Sequence, residues 1–331
     1  MTSKKRVLSG MRPTGRLHLG HLVGALNNWV KLQQEYQCFY MIADWHALMS
    51  EYEDPKGMAE NSIEMAMDFI AAGIDPDKSV LFVQSHVPEH LELAMVFSDI
   101  TPLGWVERCP TYKEQLREIK GRDLTTYGFL GYPILQAADI ALYKANAVPV
   151  GVDQLPHLEL TREIVRRFNA LYGKAIFPEP EPLLTKTPKL AGLDNRKMSK
   201  SYGNFIALSD KPHEIEKKVS QMITDPARIK LKDKGHPEVC NVFSYYAIFA
   251  EPHLLDNVRD WCEGAKLGCT ECKKSLAKIL VGYLEPMRQK RANISEEDVR
   301  DILKEGAKKA SRAAAETMAQ VRSLIHFVQI S

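Results

Sequence analysis

Two short segments of the chain carry residues suited to handling phosphate. Pro13-Thr14-Gly15-Arg16-Leu17-His18-Leu19-Gly20-His21 places two imidazoles three residues apart behind a glycine-bearing turn, and Lys197-Met198-Ser199-Lys200-Ser201 places two ammonium groups three residues apart. The first segment follows the apolar Val7-Leu8, and the apolar Leu22, Val23, Leu26 and Val30 then recur at helical spacing. A strand–turn–helix entry of this kind points backbone N–H groups and the positive helix end at an anion, and the imidazoles can donate to the same oxygens. The second segment, flanked by Gly192 and Gly203, suits a mobile cationic flap over a pyrophosphate leaving group. Singly, each has an ordinary explanation, a helix start or a solvated loop. Their joint occurrence, without a Walker A sequence or a Gly-x-Gly-x-x-Gly fingerprint, favours phosphate chemistry.

Two further features carry chemistry. Asp139 stands among Ala137, Ala138, Ile140, Ala141 and Leu142 with no polar face around it, which favours a buried acceptor over a surface carboxylate. Its role is either ligand binding or structural. Four of the six cysteines, Cys240, Cys262, Cys269 and Cys272, fall close together in the second half. Four thiolates suit a tetrahedral zinc ion or a [4Fe–4S] cluster, with buried structural thiols as the plain alternative. Cys269 and Cys272 form one tight Cys-x-x-Cys pair, whereas a structural zinc site favours two. Cys38 and Cys109 read as core or loop residues.

These groups need a scaffold, and the first half of the chain supplies one. Strand patterns at 7–9, 38–43, 79–84 and 148–150 alternate with helical patterns near 20–35, 57–72, 89–100, 131–144 and 154–172. That alternation predicts an α/β fold, a Rossmann-like parallel sheet with helices on both faces and ligands beyond the carboxyl ends of the strands. Residues 101–130, with Pro102, Gly104, Pro110 and Gly121, read as an insertion between the halves of the sheet. The proline-rich 177–182 cannot be regular helix. Beyond Gly203 helices dominate, starting at Ser209 or Asp210 and covering roughly 241–250, 253–264 and 271–291. A final helix has a capping-box start at Ser295-x-x-Asp298 and an apolar stripe from Ile302 to Ile325. The expected division is a catalytic domain at 1–205 and an all-helical domain at 206–331.

With 331 residues, 45% hydrophobic and 26% charged, the chain is large enough for two domains and excludes global disorder. A net charge of +2 is too small to argue by itself for a nucleic-acid partner. There is no apolar run of membrane-spanning length and no secretory h-region after Met1-Thr2-Ser3-Lys4-Lys5-Arg6, so a cytoplasmic protein with free or metal-bound thiols is expected, with no membrane association.

The two phosphate segments resemble the HIGH and KMSKS signatures of class I aminoacyl-tRNA synthetases, and from residue 6 to about 327 the chain resembles the bacterial-type tryptophanyl-tRNA synthetases. Gly131-Tyr132-Pro133-Ile134-Leu135-Gln136-Ala137-Ala138-Asp139-Ile140 is similar to that family's indole-binding helix. Val148-Pro149-Val150-Gly151-Val152-Asp153-Gln154 is similar to its nucleotide and amino-acid loop, and Ala43-Asp44-Trp45-His46-Ala47 to the segment whose histidine lies near substrate.

The resemblance implies activation of L-tryptophan with ATP and Mg²⁺ to tryptophanyl-adenylate and pyrophosphate, then transfer to tRNA(Trp). It implies that Gly10, Arg12, Pro13, Thr14, Gly20, His21, Gly151, Val152, Asp153, Leu190, Lys197, Met198, Ser199, Lys200 and Ser201 meet ATP. His18, His21, Lys197 and Lys200 would stabilise the transition state. Asp139 would accept the indole N–H, Tyr132 and Gln154 would hold the ammonium, and Gln136, His46, Val148 and Val150 would complete the pocket. The resemblance is to the subset carrying a [4Fe–4S] cluster on the four clustered cysteines, with Zn²⁺ as the alternative. It also implies a homodimer, with the interface expected around 101–130, and an anticodon-binding role for the helical domain. Val152 stands where relatives commonly have an acidic residue, and Gln136 where some have methionine. Three rival readings share parts of the pattern: a tyrosyl-tRNA synthetase, whose phenol would need both donor and acceptor; a small nucleotidyltransferase, which would lack the helical C-terminal half and the Lys197–Ser201 segment; and a non-catalytic synthetase relative that binds RNA or senses tryptophan, against which the intact His18, His21, Lys197 and Lys200 speak.

Overall fold

The computed structural model describes residues 4–110, 112–113, 123–184, 190–198 and 202–328. Five strands, β1 (Arg6–Met11), β2 (Gln37–Ile42), β3 (Ser79–Val83), β4 (Ala147–Val150) and β5 (Glu181–Leu184), alternate with helices. These are α1 (Asn27–Glu35), α2 (Asp44–Glu51), α3 (Met58–Ala72), α4 (Glu89–Ile100), α5 (Leu103–Glu107), α6 (Tyr127–Leu142) and α7 (Leu155–Leu171). Then follow α8 (Pro212–Ser220), α9 (Asn241–Phe249), α10 (Pro252–Glu263), α11 (Cys269–Ala292) and α12 (Glu296–Leu324). No helix among the described residues is long and apolar enough to cross a membrane.

The chain divides differently from the single boundary anticipated near residue 205. One compact unit comprises residues 1–14, 29–185 and 295–331, and the other comprises 15–28 and 186–294. The first is the α/β unit. Its sheet is parallel throughout in the order β3-β2-β1-β4-β5. Because helices cover both faces, β2 reads as an unbroken apolar run from Cys38 to Ile42, all of it buried. Strand β5 escaped the sequence reading because Pro182 lies within it. Its register against β4, with Val148 opposite Pro182, puts the proline on an edge strand, where a missing N–H is tolerated. Helix α6 begins at Tyr127, earlier than the expected 131, because Thr126 caps it by accepting from the Phe129 N–H.

The last helix joins the sheet rather than the other helices of the second half. Ser295 caps α12 as expected, accepting from the Asp298 N–H. The apolar stripe is also as expected, but Ala310, Ala314, Met318 and Val321 share a core with Val80, Phe82 and Phe97. A Cβ at Gly306 would lie 1.7 Å from the Leu81 carbonyl oxygen, so only glycine lets the helix seat on β3. That seating covers an edge strand whose backbone would otherwise template further pairing.

The second unit is largely helical. Ile215 and Val219 of α8, Val242, Tyr245 and Tyr246 of α9, and Leu276, Leu280 and Leu284 of α11 are buried there. Residues 17–19 belong to it through an antiparallel bridge: the Leu19 N–H donates to the Ile206 carbonyl at 3.0 Å and the Leu208 N–H to the Leu17 carbonyl at 2.9 Å.

Candidate functional site

Within the α/β unit the strand order reverses between β1 and β4, and the carboxyl ends of those strands mark the crevice where such sheets bind ligands. Strand β1 delivers Gly10, Arg12, Pro13 and Thr14 there, and β4 delivers Gly151, Val152, Asp153 and Gln154. Gly10 is required by close approach, since a Cβ there would lie 2.8 Å from the Met41 carbonyl oxygen, whereas at Gly151 a Cβ would meet only the movable Asp153 Oδ1, at 2.6 Å. Val148 and Val150 are buried on β4 and Gln136 is half-buried on α6, while Val152 is 71% exposed.

Asp139 is buried, not a surface carboxylate, and its oxygens collect three donors. Gln84 Nε2 donates to Oδ1 at 2.9 Å and His90 Nδ1 to the same oxygen at 2.6 Å, while His46 Nε2 donates to Oδ2 at 2.7 Å. Burial alone would push the carboxyl up, but the field of His90 and the bonds from His46 and His90 outweigh it and hold its pKa down at about 2. The charge is therefore kept. Since a carboxylate only accepts, His90 carries its proton on Nδ1, and its Nε2, 2.8 Å from the Tyr143 hydroxyl, accepts from that group when the ring is neutral.

A second network runs beside Tyr132. The Tyr132 hydroxyl is 2.8 Å from His157 Nε2, His157 Nδ1 is 3.0 Å from Gln154 Oε1, and Gln154 Nε2 donates to Asp153 Oδ2 at 3.0 Å. His157 is buried; that burial, reinforced by the field of His46 and only partly offset by Asp153, holds its pKa down at about 4.

The helical unit holds the Gly15–His21 part of the first signature segment and the described Lys197 and Met198 of the second. The His18 and His21 rings lie 3.7 Å apart between centroids, and the His18 backbone N–H donates to His21 Nδ1 at 3.2 Å. In neutral His21 that bond leaves the ring proton on Nε2. Residues Leu22–Leu26 then form a π-helical turn, a feature frequent at functional sites. A Cβ at Gly20 would meet the His18 ring at 3.0 Å and Met198 Sδ at 3.3 Å, so the first segment lies directly against the second. Lys197 pairs with Ala191 across a short hairpin, where Asn204 Nδ2 donates to the Lys197 carbonyl at 3.1 Å and to Asp194 Oδ1 at 2.7 Å. Helix α9 anchors the hairpin, Asn241 donating to the Gly192 carbonyl and Tyr245 to that of Ala191, each at 2.7 Å. Leu190 is buried in this unit. Ser199, Lys200 and Ser201, and much of the expected insertion between 111 and 122, lie outside the described residues.

The four clustered cysteines come from Cys240, just after the 3₁₀ turn Pro237–Val239, from α10 at Cys262, and from the first turn of α11 at Cys269 and Cys272. They share one region. Burial, together with the fields of the Cys240, Cys269 and Cys262 thiols, pushes Cys272 up to about 12 against a relieving bond with Tyr246. Arg228 approaches Cys269 Sγ at 3.8 Å, and a Cβ at Gly235 would lie 2.4 Å from Cys262 Sγ. Among the described residues, no group of three or more His, Cys, Asp or Glu side chains is drawn together as a ligand set for a metal ion. The four soft donors lie near enough for their fields to act on one another.

A family model described as tRNA synthetases class I (W and Y) matches residues 1–285. The tryptophan–tRNA ligase of Thermotoga maritima is 51% identical over 330 residues, which cover 98% of this chain and 99% of the relative. The chain belongs to the class I tryptophanyl-tRNA synthetase family. The family's Aquifex aeolicus member, also a tryptophan–tRNA ligase, is 43% identical, covering 97% of this chain and 99% of its own. Among solved structures, the family's Campylobacter jejuni enzyme, complexed with ADP and tryptophan, matches with a TM-score of 0.88 at 34% identity, covering 97% of this chain and all of that one.

Several residues of the site were missed in the sequence. His90 holds Asp139 from α4, Gln84 does so from the end of β3, and His157 joins Tyr132 to Gln154. A signal existed for the histidines: His90 lies on the buried stripe with Leu93 and Phe97, and His157 on that with Leu158, Thr161 and Ile164. An ionisable group on such a stripe needs partners.

Proposed function

We propose that, within the ligation of tryptophan to tRNA(Trp) that its family performs, this chain selects tryptophan through Asp139 and stabilises pyrophosphate departure through its two signature segments. The observation that carries the reading is the occupancy of the Asp139 carboxylate. An ionised carboxylate offers about four acceptor positions. Oδ1 takes two donors and Oδ2 takes one. Oδ2 can therefore take one more donor, and indole is an apolar plate with a single N–H. A phenol would also ask for a donor, and the N–H groups around Asp139 are turned onto the carboxylate.

Activation then proceeds by attack of the tryptophan carboxylate on the α-phosphorus of ATP, with pyrophosphate leaving. A tRNA terminal ribose hydroxyl attacks the adenylate in the second step, by class the 2′-hydroxyl. No protein nucleophile is needed, and positioning and charge stabilisation supply the catalysis. Gly10, Arg12, Pro13, Thr14, Gly151 and Asp153 would bind the nucleotide, and Gly20, His18, His21, Lys197, Met198 and Lys200 would act on its phosphates, as the resemblance of the two segments to the family signatures implies. Mg²⁺ accompanies the triphosphate, whose oxygens are its natural ligands. The α/β unit serves as the catalytic body and residues 206–294 as the anticodon-binding part, in a cytoplasmic homodimer joined through the region around 101–130.

Cys240, Cys262, Cys269 and Cys272 would hold a [4Fe–4S] cluster, whose four corners take one thiolate each, a reading supported by their uneven spacing with one Cys-x-x-Cys pair in place of the two that structural zinc favours. Its contribution is to tie the 225–240 segment to α10 and α11. Lys273, Lys274 and Lys278 follow it on α11 and would meet tRNA phosphates. Protein isolated without oxygen should be brown with about four irons per chain; stoichiometric zinc without iron would overturn the cluster. The main reading is tested by ATP–pyrophosphate exchange with tryptophan and tyrosine side by side. Tryptophan alone should support it, and equal rates would defeat the assignment.

A further inference from the structure

We infer that His157 is a positioning residue that sets both oxygens meant for the substrate's ammonium group as acceptors. This rests on the reading above, in which Tyr132 and Gln154 meet that group. A tyrosine hydroxyl and a carboxamide are ambivalent: each can donate as well as accept, and toward a cation only acceptance helps. Something must fix their polarity, and one buried ring touches both.

The direction of the network follows from its far end. Asp153 can only accept, so the Gln154 amide nitrogen faces it and the amide oxygen faces His157. His157 must then carry its proton on Nδ1 and donate to Gln154 Oε1. In the neutral ring Nε2 is left as an acceptor, so the Tyr132 hydrogen points at it across 2.8 Å. Tyr132, its hydrogen spent, presents only lone pairs to any further neighbour, and Gln154 Oε1 keeps a second lone pair beyond the one His157 uses. Burial, which holds the ring neutral at ordinary pH, is part of the device. A protonated ring would donate to Tyr132 and compete with the substrate.

The test is equilibrium binding of L-tryptophan and of indole-3-propionate, the same molecule without its ammonium, measured calorimetrically on the full chain. His157→Phe keeps a ring but neither hydrogen bond, and His157→Leu serves if that ring disturbs folding. Either should weaken tryptophan about ten- to a hundredfold while leaving indole-3-propionate within about twofold. His157→Gln carries one donor and one acceptor and should restore tryptophan binding to within about fivefold. In exchange kinetics the KM for tryptophan should rise with kcat largely kept. Equal weakening of both ligands, or of neither, would overturn the inference, since a merely structural role does not distinguish them. Tyr132→Phe separates the layers. If it fails to discriminate between the ligands, the ammonium role of Tyr132 is wrong; if it discriminates and His157→Phe does not, only the relay is wrong.

Discussion

The α/β unit and the helical unit solve opposite problems. All the residues proposed for tryptophan, Asp139, Tyr132, Gln154, Gln136, His46, Val148 and Val150, belong to the α/β unit, and the polar groups among them are tied into hydrogen-bond networks around the buried Asp139 and Tyr132. The described signature residues, His18, His21, Lys197 and Met198, belong to the helical unit, held by hairpin and bridge contacts of the backbone. In the proposed function, an apolar amino acid with one distinguishing N–H would be selected by the cost of leaving a buried acceptor unmatched. Phosphate charge that develops only during reaction would be met by positioned donors instead. The difference teaches where mutations should register: in selectivity and pH response for one unit, in the chemical step for the other.

The largest expected effect tests the buried side. Asp139→Ala removes the acceptor and strands the donors of His46, His90 and Gln84, and should cost roughly 2–4 kcal/mol in tryptophan selectivity, read from exchange with tryptophan against tyrosine. A near-neutral result would return Asp139 to a structural role.

Next in size is a pH effect confined to the same unit. Folding lowers the His157 pKa from the ordinary 6.5 to about 4. The unfolded chain therefore binds a proton that the folded chain refuses. The stability from the neutral ring is complete above about pH 6.5, declines as pH falls toward 4, and amounts to about 3 kcal/mol. Denaturant unfolding at pH 7 and pH 4.5 should show this loss in the natural chain and a smaller one in His157→Gln. Asp139, held at about 2, makes its contribution above the carboxylate range and loses it only at still lower pH, so the two groups separate along the titration.

On the phosphate side, Lys200→Ala should lower kcat for adenylate formation on the order of a hundredfold while leaving the Kd of tryptophan nearly unchanged. A pure KM effect would blur the contrast between the units.

Much of this was legible in the chain itself. Helical and strand periodicities marked β1 to β4 and most helices, because burial on fixed faces leaves a repeat in the sequence. The spacing of His18 with His21 and of Lys197 with Lys200 singled out the two segments proposed for phosphate, and the apolar neighbours of Asp139 marked a buried acceptor. Strand β5 was hidden by Pro182, whose tolerance depends on an edge position that only pairing reveals.

What the tertiary structure decided is partnership. Nothing local in Ser295–Ile325 says that its stripe will seat on β3 through Gly306, nor that residues 15–28 will join 186–294. Likewise a sequence can show that His90 and His157 fall on buried stripes, yet their partners lie 49 and 25 residues away, at Asp139 and Tyr132. Periodicity reports that a side chain is buried. Which donor meets which acceptor is set by long-range packing, which here brings Gln84, His90 and His46 onto Asp139 and links Tyr132 through His157 to Gln154.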